Sequence, residues 1–147
     1  MKCARGMAIL ALLSSAGCFP SHPAVPEEEA LERYDETEPL FAAGRYAEAA
    51  EGYEYVIQRR PRWKDAYLKL ARCREATGRP EEAAAVFERL LEGDRFDEDA
   101  LRALGRLYAG LGSTDRAIER YRRLRELHPG DRALDGEIAR LEAMRKS

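Results

Sequence analysis

Arg102 and Arg106 stand four residues apart, a spacing that on a helix points both guanidinium groups from one face. Such a pair can grip a carboxylate or an acidic peptide through bidentate, charge-assisted hydrogen bonds. The other reactive side chains point away from catalysis. The sequence has no GxxxxGKS/T, no GxSxG and no HExxH run. Gly105 to Gly110 has the glycine spacing of a phosphate loop, but Leu111 stands where that loop needs lysine. His22 and His128 are far apart in the chain, and with one free cysteine they make no metal-ligand cluster. Carboxylates are plentiful, yet they fall on charged helix faces without the converging apolar pocket that shifts a pKa. The chain is therefore expected to be no enzyme, to hold no metal or cofactor and to take no small-molecule substrate.

The elements that would position those arginines repeat. Gly44, Gly78 and Gly112 are 34 residues apart, and so are Ala49, Ala83 and Ala117. Tyr53, Phe87 and Tyr121 follow the same step, as do Val56, Leu90 and Leu124. Four residue classes in register over three copies mark a helix-turn-helix solenoid, an architecture that builds extended binding surfaces. In the third copy, Leu101-x2-Leu104-Gly105-x2-Tyr108, Gly112, Ala117-x3-Tyr121, Leu124 and Pro129 resemble the tetratricopeptide repeat nearly position by position. The second copy supplies Tyr67-x2-Leu70-Ala71, Gly78, Ala83-x3-Phe87 and Leu90, and departs with Arg74 and Arg95. The first is strong in its second half: Gly44, Ala49-x3-Tyr53, Val56 and Pro61.

The resemblance covers residues 30–145. It implies an all-α fold, a right-handed solenoid of three repeats (30–63, 64–97, 98–131) with a capping helix over 131–145. Ala71, Gly105, Ala83 and Ala117 are small where the helices of a repeat cross, and Tyr53, Phe87 and Tyr121 fill the space toward the next repeat. Asp131 is placed to cap the last helix, whose apolar stripe is Leu134, Ile138, Leu141 and Met144. The first helix is the exception. Pro39 falls inside it and removes a hydrogen bond, and the slots before it hold Arg33, Glu36 and Thr37, poor core residues. Two arrangements fit: a helix kinked at Pro39, or one from about Glu27 to Thr37 followed by a short restart.

The resemblance also implies where a ligand would lie. In tetratricopeptide proteins the first helix of each pair lines a concave groove. The contact slots fall here on Leu31, Tyr34, Glu38 and Phe41, on Asp65, Leu68, Arg72 and Glu75, and on Asp99, Arg102 and Arg106. Arg140 takes the matching slot of the capping helix. The arginines faintly resemble the carboxylate clamp of chaperone-binding members, but Glu38 and Arg72 stand where that clamp has asparagines. Two readings follow: the arginines grip an acidic ligand, or they pair with Asp65, Glu75 and Asp99 across the groove.

Composition and the N-terminus set the location. The 147 residues suit one domain, 45% hydrophobic and 35% charged, with net charge −2 and pI near 5.8. That balance argues against nucleic acid, which demands a basic surface. Lys2 and Arg5 precede an uncharged, mostly apolar run from Gly6 to Ala16. A span needs roughly 20 apolar residues, so this run suits an export signal. It ends in Leu13-Ser14-Ser15-Ala16-Gly17-Cys18, which resembles the lipobox of bacterial lipoproteins, with Ser15 in place of the usual leucine. The resemblance implies residues 1–17 as a signal peptide, cleavage before Cys18, and a diacylglycerol on its thiol with an acylated amine. Several chains at about 0.8 kcal/mol per methylene give a stable anchor.

Residues 18–29 then form a proline-rich tether, with Pro20, Pro23 and Pro26 against helix. Phe19 rather than aspartate after the cysteine implies the outer membrane, facing the periplasm. Cys3 departs with the signal and Cys18 takes lipid, so Cys73 is left alone as a small core residue. The expected function is a lipid-anchored envelope scaffold or adaptor for a protein or peptide partner, for instance an assembly factor or pilotin. The alternative is an accessory or regulatory subunit tethering a cell-wall enzyme.

Overall fold

Gly44, Gly78 and Gly112 adopt φ of 74°, 72° and 72°, the left-handed region a Cβ disfavours. Each ends a helix in the same way. The amides of Arg45, Arg79 and Ser113 reach back to the carbonyls of Leu40, Arg74 and Tyr108 at 2.9, 2.9 and 2.8 Å. These turns reverse the chain and lay the next helix against the last.

The computed structural model describes residues 26–146. Within them lie seven helices and no strand. They are α1 (Pro26–Ala42), α2 (Tyr46–Arg59), α3 (Lys64–Ala76), α4 (Pro80–Gly93), α5 (Glu98–Gly110), α6 (Thr114–Leu127) and α7 (Arg132–Lys146). Each packs chiefly on its sequence neighbours, which makes a helical solenoid. The signal sequence, Cys18 and the tether up to residue 25 lie outside the described residues. The tether was expected to reach Glu29, but α1 already begins at Pro26. Proline is pre-set for a first helical turn, and the glutamates behind it suit the positive end of the helix dipole.

The repeating small residues are the core. Ala49, Ala83 and Ala117 are fully buried, and Tyr53, Phe87 and Tyr121 are buried above them. Gly105 lies directly under Tyr121: a Cβ there would meet the ring's Cε1 at 2.5 Å. Cys73 is buried, and burial, opposed by Arg74, pushes its thiol up to about 11, an inert core position. In α7, Asp131 Oδ1 accepts from the Ala133 amide at 2.9 Å and the Leu134 amide at 3.3 Å. Leu134, Ile138 and Leu141 are buried against α6. Met144, expected to continue the stripe, is 58% exposed, because the apolar contact ends at Leu141.

Of the two arrangements expected for the first helix, the structure takes the continuous one: α1 runs through Pro39 without a restart. Pro39 and Asp35 are both exposed, so water can replace the lost donor, and aromatic contacts hold the helix down. Tyr53 lies 5.7 Å from Tyr34 and 5.9 Å from Phe41, centroid to centroid. Thr37, read as a poor core residue, is 1% exposed. Its hydroxyl donates to the Arg33 carbonyl at 2.6 Å, and Gly52 of α2 makes room for it: a Cβ on Gly52 would fall 2.0 Å from that hydroxyl. Thr37 occupies the slot held by Ala71 and Gly105 in the other repeats. The larger residue on α1 is accommodated by a smaller one on α2.

Candidate functional site

The face shared by α1, α3 and α5 carries the slots expected to bind, and ion pairs cross it from one repeat to the next. At its N-terminal end the side chains engage each other. The Tyr34 ring stacks on Trp63, with centroids 4.4 Å apart, and its hydroxyl donates to Asp65. Lys69 Nζ donates to Glu38 at 2.5 Å and lies 3.5 Å from Asp65, while the Tyr53 hydroxyl donates to Glu38 at 2.6 Å. The same ammonium sits 5.1 Å from the Tyr34 ring centroid and 5.7 Å from that of Phe41.

The titrations follow from this network. Burial pushes Glu38 up, but the hydrogen bonds from Lys69 and Tyr53 outweigh it, and the carboxyl is held below its usual range. Tyr34 is pushed up to about 12, by burial first and then by the bond to Asp65. Tyr34 and Phe41 are thus half-buried parts of an aromatic and charged network, Leu68 is half-buried against the core, and Leu31 is 48% exposed.

The C-terminal end is built otherwise. Arg106 Nη2 donates to both Glu75 oxygens, at 3.1 and 3.0 Å. Arg140 donates to Glu137 at 2.6 Å. Asp99, a candidate arginine partner, goes to Lys64 at 2.7 Å, and Asp65 goes to Tyr34 and Lys69. Arg72 and Arg102 are exposed on α3 and α5, with no hydrogen bond or ion pair among the described residues. The two sequence readings therefore divide the cluster between them: Arg106 is paired across the groove, and Arg72 and Arg102 are not.

Tyr121 ties the arginines together. Its hydroxyl titrates high, first through burial and then through Glu137, while Arg106, Arg140 and Arg102 pull it down. Three guanidinium groups and the Glu137 carboxylate thus act on one phenol at the α5–α7 end of the groove, and Glu75 adds a second carboxylate through Arg106. An incoming carboxylate would meet cations there in excess of their partners. The Arg106–Glu75 pair does not close the site, because Arg106 is 65% exposed and exposed pairs contribute only about 0–1 kcal/mol.

Sequence reasoning missed Lys64, Lys69, Trp63 and Tyr121 as groove residues, since none falls in a contact slot. A signal was available. Tyr34–Asp65, Glu38–Lys69 and Glu75–Arg106 all stand 31 residues apart, one repeat less about one helical turn. On the other face, a recess of about 590 Å3 lies between α4 and α6, lined by Ala84, Ala85, Glu88, Arg116 and Arg120 among others. Its central charges are engaged: Glu88 accepts from Tyr108 at 2.8 Å and from Arg120 at 2.9 Å.

The tetratricopeptide repeat family model matches residues 40–107 and 77–144. Among solved structures, the chain is similar to the first such domain of Spaghetti (RPAP3) bound to the HSP90 peptide SRMEEVD. That match has a TM-score of 0.68 at 19% identity, over 82% of this chain and 96% of that one. The Yersinia enterocolitica type III secretion chaperone SycD, in complex with a peptide of the translocator YopD, aligns with a TM-score of 0.68 at 13% identity, over 80% and 95%. PcrH, in complex with the chaperone-binding region of PopB, gives 0.61 at 20% identity, over 80% and 95%. At these identities the likeness is one of fold. No curated protein matches the chain.

Proposed function

The chain belongs to the tetratricopeptide repeat family, and from that premise we propose a lipid-anchored envelope scaffold whose groove holds an acidic peptide segment of a partner protein. The observation that carries the reading is the charge surplus at the C-terminal end of the groove. Arg72 and Arg102 lack carboxylate partners among the described residues, and Arg102 shares the surroundings of Tyr121 with Arg106 and Arg140. Bidentate guanidinium geometry suits a side-chain or terminal carboxylate. Relatives of the same fold hold peptides, and the peptide SRMEEVD in one of them has three acidic residues. The partner recognised here carries such a segment, and an assembly factor for an envelope complex is the role that fits a tethered binder.

Leu13 to Cys18 support the anchor in this reading, and Phe19 after the cysteine supports the outer membrane, facing the periplasm. Two measurements test the two parts separately. Metabolic labelling with a radioactive fatty acid should mark the native chain and leave Cys18→Ser unmarked; label on the variant refutes the anchor. Affinity capture from envelope extract should retain an acidic-tailed partner on the native chain and lose it on the Arg72→Ala/Arg102→Ala variant. Undiminished capture by that variant refutes the groove.

A further inference from the structure

The first and last helices carry opposite unpaired charge. α1 has seven carboxylates and one cation, Arg33, which pairs with Glu36 at 3.1 Å. Glu29 faces Arg59 at 3.9 Å, and Glu38 is held by Lys69. Glu28, Glu32 and Asp35 have no cation among the described residues. They are exposed on the side of α1 away from the buried Ala30 and Thr37. Leu31 stands among them, and together they outline a recess of about 530 Å3. α7 is the reverse. Its three carboxylates are all engaged: Asp135 by Arg125, Glu142 by Arg122 and Glu137 by Arg140. Of its four cations, Arg132 and Lys146 are exposed and have no carboxylate among the described residues. Asp131 is spent on the first amides of α7, and Glu126 of α6 lies among Arg122, Arg123 and Arg145.

The outer side of α7 also has room for a helix. Leu134, Ile138 and Leu141 are buried toward α6, while Gly136, Ala139 and Ala143 lie exposed on the opposite side. Ala139 continues the 34-residue register of Ala71 and Gly105, and at Gly105 a helix crosses so closely that Tyr121 fills the Cβ position. At Ala139 the same slot is exposed among the described residues. Each end keeps a large apolar side chain toward the groove. Leu31 comes three positions before Tyr34, and Met144, 58% exposed, four after Arg140. From the opposite unpaired charges and the exposed slot at Ala139, we infer that α1 of one copy docks on α7 of a second, head to tail. Glu28, Glu32 and Asp35 then face Arg132, Arg140 and Lys146, and Leu31 is set toward Met144. The two surfaces differ, so the contact is heterologous: it leaves a free end on each copy and adds further copies instead of closing as a pair. One helix against one helix is small beside the roughly 800 Å2 per partner of a stable interface, so association is weak and rises with concentration.

Sedimentation velocity of the full chain, followed from about 10 µM to 1 mM, reads the contact. The average mass should rise with concentration and pass that of a dimer. Glu32→Lys/Asp35→Lys should raise the Kd roughly ten-fold or more, and so should Arg132→Glu/Lys146→Glu, since each turns two exposed attractions into repulsions. Mixing these two variants should restore association, because opposite ends then meet again. A chain carrying both reversals should associate like the native one. All chains share residues 1–25, so association through that segment would persist in each single variant, and that persistence overturns the inference. A native chain that stays monomeric overturns it as well, and both ends would then suit other proteins. If a single variant melts differently from the native chain, the chain with both reversals decides: restored association upholds the contact, and none overturns it. Glu32→Lys/Asp35→Lys should still capture the acidic partner, so self-association and groove binding fail separately.

Discussion

The two ends of the groove use the same repeated slots for opposite purposes. At the α1–α3 end, Tyr34, Glu38, Asp65 and Lys69 satisfy one another and lie against Trp63 and Phe41. Beyond it, Arg72 of α3 and Arg102 of α5 have no such partners, and Arg106 and Arg140 are tied only by exposed pairs. The difference tracks what each end must hold. α1 contains a proline and among the described residues has a helix on one side only, so its groove face is committed to fastening it to α2 and α3. α5 is fastened by apolar packing between α4 and α6, which leaves Arg102 unpaired and Arg106 in an exposed pair. Repetition fixes the backbone; position along the solenoid decides what a slot does.

The strongest way to break this comparison is at the packing beneath Tyr121. Gly105→Leu must push a side chain into a ring 2.5 Å from its Cβ, and should cost about 3 kcal/mol or more by overpacking. A thermal melt shifted by several degrees is expected, together with loss of partner capture, because the Tyr121 hydroxyl would leave the arginines. An unchanged melt would mean that α5 and α6 do not cross there. Next comes the ligand end. Arg72→Ala/Arg102→Ala should leave the melt unchanged and weaken an acidic peptide by about 2 kcal/mol, roughly thirty-fold in Kd. Calorimetry at two salt concentrations checks it, since exposed charges are screened beyond about 8 Å at physiological ionic strength.

The mirror experiment is at the other end. Lys69→Met should lower stability by about 1 kcal/mol, through loss of the ammonium that Glu38 and Asp65 share, and leave peptide affinity intact. A denaturant melt beside the same calorimetry separates the two ends. If the lysine variant lost binding and kept its stability, the division between the ends would be reversed.

The smallest effect is with pH. Glu38 is held below its ordinary value of 4.5, so its contribution is complete above that value and lost as pH falls through the lowered one. Lys69 titrates above its ordinary value of 10.5, so its contribution is complete below 10.5 and lost only as pH rises past that. Glu38 is 38% exposed, so after screening the acid-side loss is about 0.5 kcal/mol, and Glu38→Gln should flatten it in melts from pH 6 to 3.

The sequence carried the scaffold because its signals are periodic. Gly44, Gly78 and Gly112 all take positive φ, and Ala49, Ala83 and Ala117 are all fully buried. It did not carry the first helix, for a physical reason. Thr37 is a poor core residue when weighed alone and a good one opposite Gly52, so the answer lay in a pair 15 residues apart. Pro39 likewise breaks a helix only where nothing holds both sides. The groove slots placed Arg72 and Arg102 on an exposed face, but which of the four arginines would be neutralised depended on Lys64 and Lys69 capturing Asp99 and Asp65. Long flexible side chains make that choice, and spacing alone does not encode it.

The rungs that stand 31 residues apart have a mechanical consequence. They fasten α1 to α3 and α3 to α5, whereas among the described residues no ion pair fastens α5 to α7. α7 is held instead from its other side, by Arg122–Glu142, Arg125–Asp135 and Arg145–Asp115 to α6. The superhelix thus has a braced end and a compliant end. Thermal motion can widen the gap between α5 and α7 without breaking a charge pair, with Arg102 and Arg106 carried by one of these helices and Arg140 by the other.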